Sequence, residues 1–272
     1  MTAIDTRQAA ARKRPAPWWE RSARLRFLAG FAVAVGLLWE IGVRWTGVRR
    51  FIFPAPGDVW HELWSDPLWL AQHAGYTVAA TLTGFALAVA LGLAMAIGIV
   101  YSRLLDRTLF AALVATNAVP KVAIAPLFVL WVGTQIESKV VMALLVSIFP
   151  MVVDSVVGLR AVDPDMLDLA RTYRGSKLQM FWKIRFPNAL PNIFAGMKVA
   201  ISLSLVGTIV GEFVGSNYGL GYVILQSQGT YNTPRAFAAI LLLAVLGTVL
   251  YQIVDWVERQ AMPWHVSHRS ED

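Results

Sequence analysis

Residues 163–191 read DPDMLDLARTYRGSKLQMFWKIRFPNALP, a polar, basic stretch set between two long apolar runs. Asp163 before Pro164 is an N-cap followed by a first-turn proline, so a helix is predicted to begin there. Met166, Leu167 and Ala170 recur at helical spacing on one face, while Asp168, Arg171 and Arg174 stay polar. Gly175 and Ser176 interrupt that helix. A second apolar group follows (Leu178, Met180, Phe181, Ile184, Phe186), and Pro187 with Pro191 is expected to end it. Connections in compact domains are usually short, so one of this length is expected to carry a task.

The flanking runs set the fold class. Hydrophobic residues make up 57% of the 272-residue chain and charged residues only 15%, with mean hydropathy +0.55. Soluble domains carry about a quarter charged residues. Several runs approach the roughly 20 apolar residues that span a bilayer, so an all-α integral membrane protein is predicted, a polytopic bundle of about six transmembrane helices. Residues 1–26 form a basic tail, 27–260 the transmembrane domain and 261–272 a second tail. The net charge of +7 is divided among loops rather than gathered on one face, which argues against nucleic acid.

The apolar run Phe27–Trp45 is read as the first span, uncleaved because no small-residue site follows it. Near its end Glu40 and Arg44 stand four apart, the spacing of an ion pair. A Trp-rich amphipathic piece, Asp58–His73, is interrupted by Pro67 and suits a membrane interface. The second span, about Thr77–Val100, carries Gly84, Ala88, Gly92 and Ala96 at every fourth position, a stripe that admits a neighbouring helix closely. The third apolar region, Thr108–Val132, contains Asn117, Pro120, Lys121 and Pro126, so its helix must kink or break against protein or a wet cavity. Lys121 is a candidate for a solute path or, alternatively, pairs with a neighbour. Val140–Leu159 is the fourth span and Ile193–Gly215 the fifth. The fifth bears Gly207, Gly211 and Gly215 on one stripe and Ser204, Thr208 and Glu212 on an adjacent one. That polar row either lines a solute path or bonds inside the bundle. The two glycine-bearing stripes are expected to contribute to pairing of two copies. Residues 216–235 are expected to hold a short helix around Tyr222–Gln226, and Phe237–Val257 is the last span. With both tails on one side, that side holds 17 of the 24 Lys and Arg residues and the opposite side 5, which places both termini in the cytoplasm.

The 163–191 stretch resembles the cytoplasmic signature loop of permease subunits of ATP-binding-cassette (ABC) importers, whose pattern is Glu-Ala-Ala, three residues, Gly, nine residues, Ile, one residue, Leu-Pro. Asp168 stands at the Glu position, Leu169 and Ala170 at the Ala positions, and Arg174 at the Gly position, with Gly175 one residue later as the alternative source of the turn. Ile184 and Pro187 fall where the pattern has Ile and Pro, with Phe186 for Leu. FPAPGDVW at 53–60, PKVAIAPLFVLWVG at 120–133 and VGEFVGSNYGLGYVI at 210–224 also resemble permeases of the nitrate, sulfonate and taurine group. The resemblance implies a type I ABC importer permease fold, with a cytoplasmic coupling helix between spans four and five. It implies a homodimer in the bacterial inner membrane, working with separate ABC ATPase subunits and an extracytoplasmic solute-binding protein. Asp168, Ala170, Arg171, Gly175, Ile184 and Pro187 would then dock the ATPase. The stretch GEFVGSNYGLGYVILQSQ is also similar to permeases associated with pyrimidine or thiamine-precursor uptake, so the resemblance implies a nitrate-, sulfonate- or taurine-type solute or, alternatively, a pyrimidine, thiamine-precursor or riboflavin-like one.

Other chemistries lack their residues. The sequence has no Gly-x4-Gly-Lys-Ser/Thr phosphate loop, so ATP hydrolysis is expected on a partner. It has no cysteine, and His265 and His268 share a tail without a carboxylate or thiol beside them, so no metal or cofactor is expected. A membrane-embedded enzyme would need Glu212, Lys121 and Asp154 to converge. A passive channel would leave the 163–191 loop without a role.

Overall fold

The computed structural model describes residues 18–263 apart from 48 and 50. Residues 1–17 and 264–272, which hold most of the two tails together with His265 and His268, lie outside them. All regular structure among the described residues is helical. It comprises α1 (Trp18–Thr46), α2 (Pro56–Ser65), α3 (Pro67–Tyr101), α4 (Arg103–Leu105), α5 (Ala111–Asn117), α6 (Lys121–Val132), α7 (Ile136–Arg160), α8 (Pro164–Thr172), α9 (Lys177–Met180), α10 (Phe186–Gly215), α11 (Leu220–Gly229) and α12 (Thr233–Ala261). Two π-helical turns, Asp106–Phe110 and Phe181–Arg185, join α4 to α5 and α9 to α10.

Four stretches are long and apolar enough to cross a membrane: Pro67–Tyr101, Ile136–Arg160, Lys177–Gly215 and Thr233–Ala261. A fifth is broken. Arg103–Asn117 and Lys121–Val132 meet at 99°, at the Pro120 where the sequence demanded a break. Beside these stands α1, whose 29 residues extend about 43 Å and contain the run Phe27–Trp45. Successive long helices alternate in direction, so α2 and α11 lie at one end of the bundle and α8 at the other.

Helix α7 is the hub, packed between α3 and α10. Lipid tails are as apolar as leucine, so helices in a bilayer associate through close van der Waals contact rather than through escape from water. The glycines supply that contact. A Cβ on Gly207 would lie 2.6 Å from the Met142 carbonyl oxygen and 2.8 Å from Ala143 Cα, and one on Gly84 would collide with the Ala143 methyl. Nearer the α8 end, a Cβ on Gly92 would meet Met151 at 2.8 Å, and one on Gly196 would meet Asp154 Cβ at 2.9 Å. Both small-residue stripes are therefore met by helices of the same chain, α7 at Gly84, Gly92, Gly207 and Gly211 and α6 at Gly215. The expectation that they join two copies does not hold for these faces.

Two boundaries differ from the sequence reading for local reasons. Asp66 caps α3, accepting from Trp69 N–H at 3.2 Å, and Pro67 takes the first helical position. The piece read as one interfacial segment is thus divided, and Leu68–His73 belong to α3. Pro187 and Pro191 do not stop the helix that follows the 163–191 loop. Lys177–Gly215 runs on for 39 residues, because the π turn makes Phe186 N–H donate to the Phe181 carbonyl and Pro187 then opens the regular helix, where its missing donor matters least.

Candidate functional site

The α8 hairpin is a cantilever with an anchored base and a free tip. Asp163 caps α8 by accepting from Asp165 N–H at 2.9 Å. At the other end Arg174 N–H donates to the Arg171 carbonyl and Gly175 N–H to the Ala170 carbonyl, both at 2.9 Å. That pair of bonds is a Schellman motif, which needs a left-handed residue in the position Arg174 holds. Arg174 has φ +56°, so the residue at the Gly position of the signature pattern makes the turn itself and Gly175 does not take it over. Gly175 is small for another reason: a Cβ there would stand 2.9 Å from the Ala170 carbonyl oxygen. Ser176 and Gln179 then form a reciprocal capping box that starts α9.

The base is held by buried Val162 and Phe181. Arg185 donates to the Leu159 carbonyl at the end of α7 (3.0 Å), and Arg160 pairs with Asp106 at 2.8 Å. The tip is uncovered. Met166, Leu169 and Tyr173, at 55, 59 and 80% exposure, form one apolar row along α8, and Leu178 and Trp182 on the return arm are exposed as well. Of the residues expected to dock a partner, Asp168 and Arg171 are exposed and paired at 2.6 Å. Ala170, Gly175, Ile184 and Pro187 are half-buried. Ile184 and Pro187, with Lys183, Asn188 and Asn192, line a cavity of about 560 Å³ beneath the hairpin.

At the opposite end the polar row of α10 meets a matching row on α3. Ser204 donates to the Thr81 carbonyl (2.8 Å), Thr81 to Thr208 Oγ1 (3.0 Å), and Thr77 to Glu212 Oε1 (2.8 Å). The network continues into the 216–221 turn. Glu212 Oε2 accepts from Gly221 N–H (2.7 Å), Thr77 Oγ1 from Leu220 N–H (2.9 Å) and His73 Nδ1 from Gly219 N–H (3.0 Å). Gly219 has φ +103°, and any Cβ there would overlap the Glu212 carboxylate, so glycine is required. Lys139, fully buried, donates to the carbonyls of Thr134 (2.6 Å) and Gly215 (2.7 Å) and closes the C-terminus of α10. Ser204 and Thr208 are 0% and Glu212 1% exposed. Solute would reach them only if α3 and α10 separated. Lys121, at the break before α6, bonds Asn117 Oδ1 at 3.0 Å and takes no part in this network.

His73, Thr77, Thr81 and Lys139 were not singled out from the sequence. The available signal was the row His73–Thr77–Thr81, which repeats every four residues like Ser204–Thr208–Glu212. Two such rows in antiparallel spans can zip together. Asp154, by contrast, lies against Gly196, about 24 Å along α10 from Glu212, so these two do not converge as an embedded enzyme would require.

The model of the family described as "binding-protein-dependent transport system inner membrane component" matches residues 88–262. The chain belongs to that family. A riboflavin transport system permease protein of Chloroflexus aurantiacus is 34% identical over 245 residues, 88% of this chain and 91% of the relative. A formylaminopyrimidine transport permease protein of Halalkalibacterium halodurans is 30% identical, over 86% of this chain and 94% of the relative. Permeases named for aliphatic sulfonates, taurine and nitrate match at 25–31% identity. Among solved structures, an inward-facing form of the MetNI methionine ABC transporter superposes with TM-score 0.63 at 19% identity, covering 72% of this chain and 98% of that one. The permease thus has the type I importer fold. It is a multi-pass inner-membrane component of an ABC importer.

Proposed function

We propose that two copies of this permease enclose the solute path and that each docks an ABC ATPase through the α8 tip. The carrying observation is the uncovered row Met166–Leu169–Tyr173 on α8, joined by the tight Arg174–Ser176 turn to the helical stretch Lys177–Gly215. An apolar row of that kind in water is a protein-contact surface. Because the hairpin base is pinned to α7, displacement of the tip turns α10 rather than bending the loop. Asp168 and Arg171 form the polar rim of the contact, Ala170 gives it close approach, and Gly175, Ile184 and Pro187 hold its shape. The α8 end then faces the cytoplasm, in agreement with the distribution of Lys and Arg.

The test is recovery of the ATPase with Ala170→Trp, alongside a control for membrane insertion. The variant should insert normally, retain at least about tenfold less ATPase and transport little. Arg171→Ala should weaken association only a few-fold, as rim charges do. Full ATPase recovery and transport by the Ala170→Trp protein would refute the docking assignment.

On this reading Ser204 and Thr208, bonded to Thr81, fasten α10 to α3, and Glu212, bonded to Thr77 and Gly221, fastens the 216–221 turn. The path then falls to the uncovered face of α10, where Ala195, Val199, Ser202 and Val206 are exposed, with Lys121 near the break of the third span. That α10 face carries no charge. It suits an uncharged planar solute of the riboflavin or pyrimidine kind better than a sulfonate. Uptake measured with both classes, and abolished without the binding protein, decides between them. Uptake of an alkanesulfonate alone would reverse the assignment.

A further inference from the structure

The crossing of α7 and α10 has an open edge that runs into the cavity beneath the α8 hairpin. Two contacts one helical turn apart make the crossing. A Cβ on Gly158 of α7 would meet Asn192 Cβ at 2.8 Å, and one on Gly196 of α10 would meet Asp154 Cβ at 2.9 Å. Beside these contacts Val157 and Ala161 on α7, and Asn188, Ala195 and Val199 on α10, are exposed. Ala161, Asn188 and Asn192 all line the cavity of about 560 Å³, so the two exposed edges lie on the same side of the crossing. Asn188, Asn192, Ala195, Val199, Ser202 and Val206 follow one another at intervals of four and three residues, a single helix face. The cavity is therefore the cytoplasmic end of the face assigned above to the solute path. Asp154, half-buried and two turns before Ala161 on α7, stands where cavity and path face join.

The Asp154 carboxylate is uncommitted. Among the described residues no hydrogen bond or ion pair engages it, nor the carboxamides of Asn188 and Asn192. The carboxylates of α10 and α12 are all held, Glu212 by Thr77 and Gly221, and Asp255 and Glu258 by Lys198. An ionisable side chain left unpaired at membrane depth is a candidate for solute contact. Lys183, the cation of the cavity, does not offset it, since it precedes Gly196 by about 20 Å of helix. A carboxyl group has a definite complement. A heterocycle with an amino group beside a ring nitrogen sets a donor next to an acceptor, and makes two parallel hydrogen bonds to a carboxyl. The amino N–H donates to one oxygen, and one proton is shared between the other oxygen and the ring nitrogen. An imide edge, one N–H between two carbonyl oxygens, sets an oxygen against the carboxylate, and a sulfonate offers acceptors only. We propose, resting on the path reading above, that Asp154 is a specificity-determining contact of the path. The solute it selects is a planar aminoheterocycle of the aminopyrimidine kind, with Asn192, one turn nearer the cytoplasm, bonding a further polar atom of the ring.

The test uses the assembled permease–ATPase complex in detergent without binding protein, so that the delivering protein's own selectivity does not enter. The chain has no cysteine, so Val157→Cys, one turn from Asp154, supplies the permease's only thiol. The probes are cytosine, which carries the amino and ring-nitrogen edge, uracil, which carries the imide edge on the same ring, and methanesulfonate. Cytosine should slow maleimide modification at least about tenfold more than uracil or methanesulfonate does. A carboxamide has both a donor and an acceptor and pairs with either ring. With Asp154→Asn added, uracil should therefore protect as well as cytosine, and with Asp154→Leu neither should. Insertion and ATPase recovery should be unchanged by Asp154→Asn, because no group of the chain is bonded to this carboxylate. Equal protection by the two rings with Asp154 in place, stronger protection by methanesulfonate, or a pattern unaltered by Asp154→Asn overturns the proposal. So does a Val157→Cys thiol that never reacts, which would mean that a second chain seals the junction. Riboflavin protecting Ser202→Cys while cytosine leaves Val157→Cys unprotected would remove the Asp154 contact and leave the path reading standing.

Discussion

At Arg174 a single side chain carries a cost that the fold accepts. L-residues other than glycine reach φ +56° with a penalty of roughly 1 kcal/mol, and here the two hydrogen bonds that end α8 depend on it. Arg174→Gly should therefore tighten the turn by about 1 kcal/mol. Hydrogen exchange at Gly175 N–H, which donates to Ala170, is the direct reading: exchange should slow about fivefold, with ATPase recovery unchanged. Gly175→Ala should act oppositely, because its methyl would press on the Ala170 carbonyl oxygen at 2.9 Å. The sequence located this turn to within one residue, since the helix pattern fails between Arg174 and Ser176. It could not say which residue would be left-handed, because that depends on the register in which the last carbonyls of α8 find their donors.

At the scale of the helices, the same limit separates what a stripe announces from what it touches. Small residues at every fourth position announced close approach on α3 and α10, and close approach is found at Gly84, Gly92 and Gly207. The partner was not legible, because spacing along one helix carries no information about which neighbour faces it. The common partner is α7, whose Met142–Ala143 step is gripped from both sides. Gly207→Leu should then damage the single chain rather than its pairing. The side chain would meet backbone atoms, which cannot swing aside, so the cost should reach or exceed the upper end of the roughly 1–3 kcal/mol typical of overpacking. The measurement is thermal unfolding of the detergent-solubilised permease, in which the melting temperature should fall by several degrees. An unchanged melting temperature with lost pairing would restore the stripe to an interface between copies. The partners of half-buried Lys198 were equally opaque in sequence: it pairs with Asp255 at 2.5 Å and with Glu258, both a full span away on α12.

Across the whole molecule the polar face of α10 and the side proposed to face the path are different faces, and on that reading they divide the importer's work. Ser204, Thr208 and Glu212 are saturated by α3 and by the 216–221 turn, so opening the bundle there would expose several unmet donors and acceptors at a cost of roughly 1–3 kcal/mol each. Such a seam should move as one body. Val199, Ser202 and Val206 face away from it and are uncovered, free to meet solute or a second copy as α10 turns. The absence of cysteine from the chain makes this separable by experiment, since each introduced thiol reports alone. Ser202→Cys and Val206→Cys should react with a membrane-permeant maleimide in the assembled importer. Their rates should change at least severalfold when ATP and loaded binding protein drive the cycle, and solute should protect them. Ser204→Cys and Thr208→Cys should stay unreactive in every state, because no motion of a rigid α3–α10 pair uncovers them. If the buried pair reacts during turnover while the exposed pair is indifferent to the cycle, α3 and α10 part during transport, and the polar row lines the path after all.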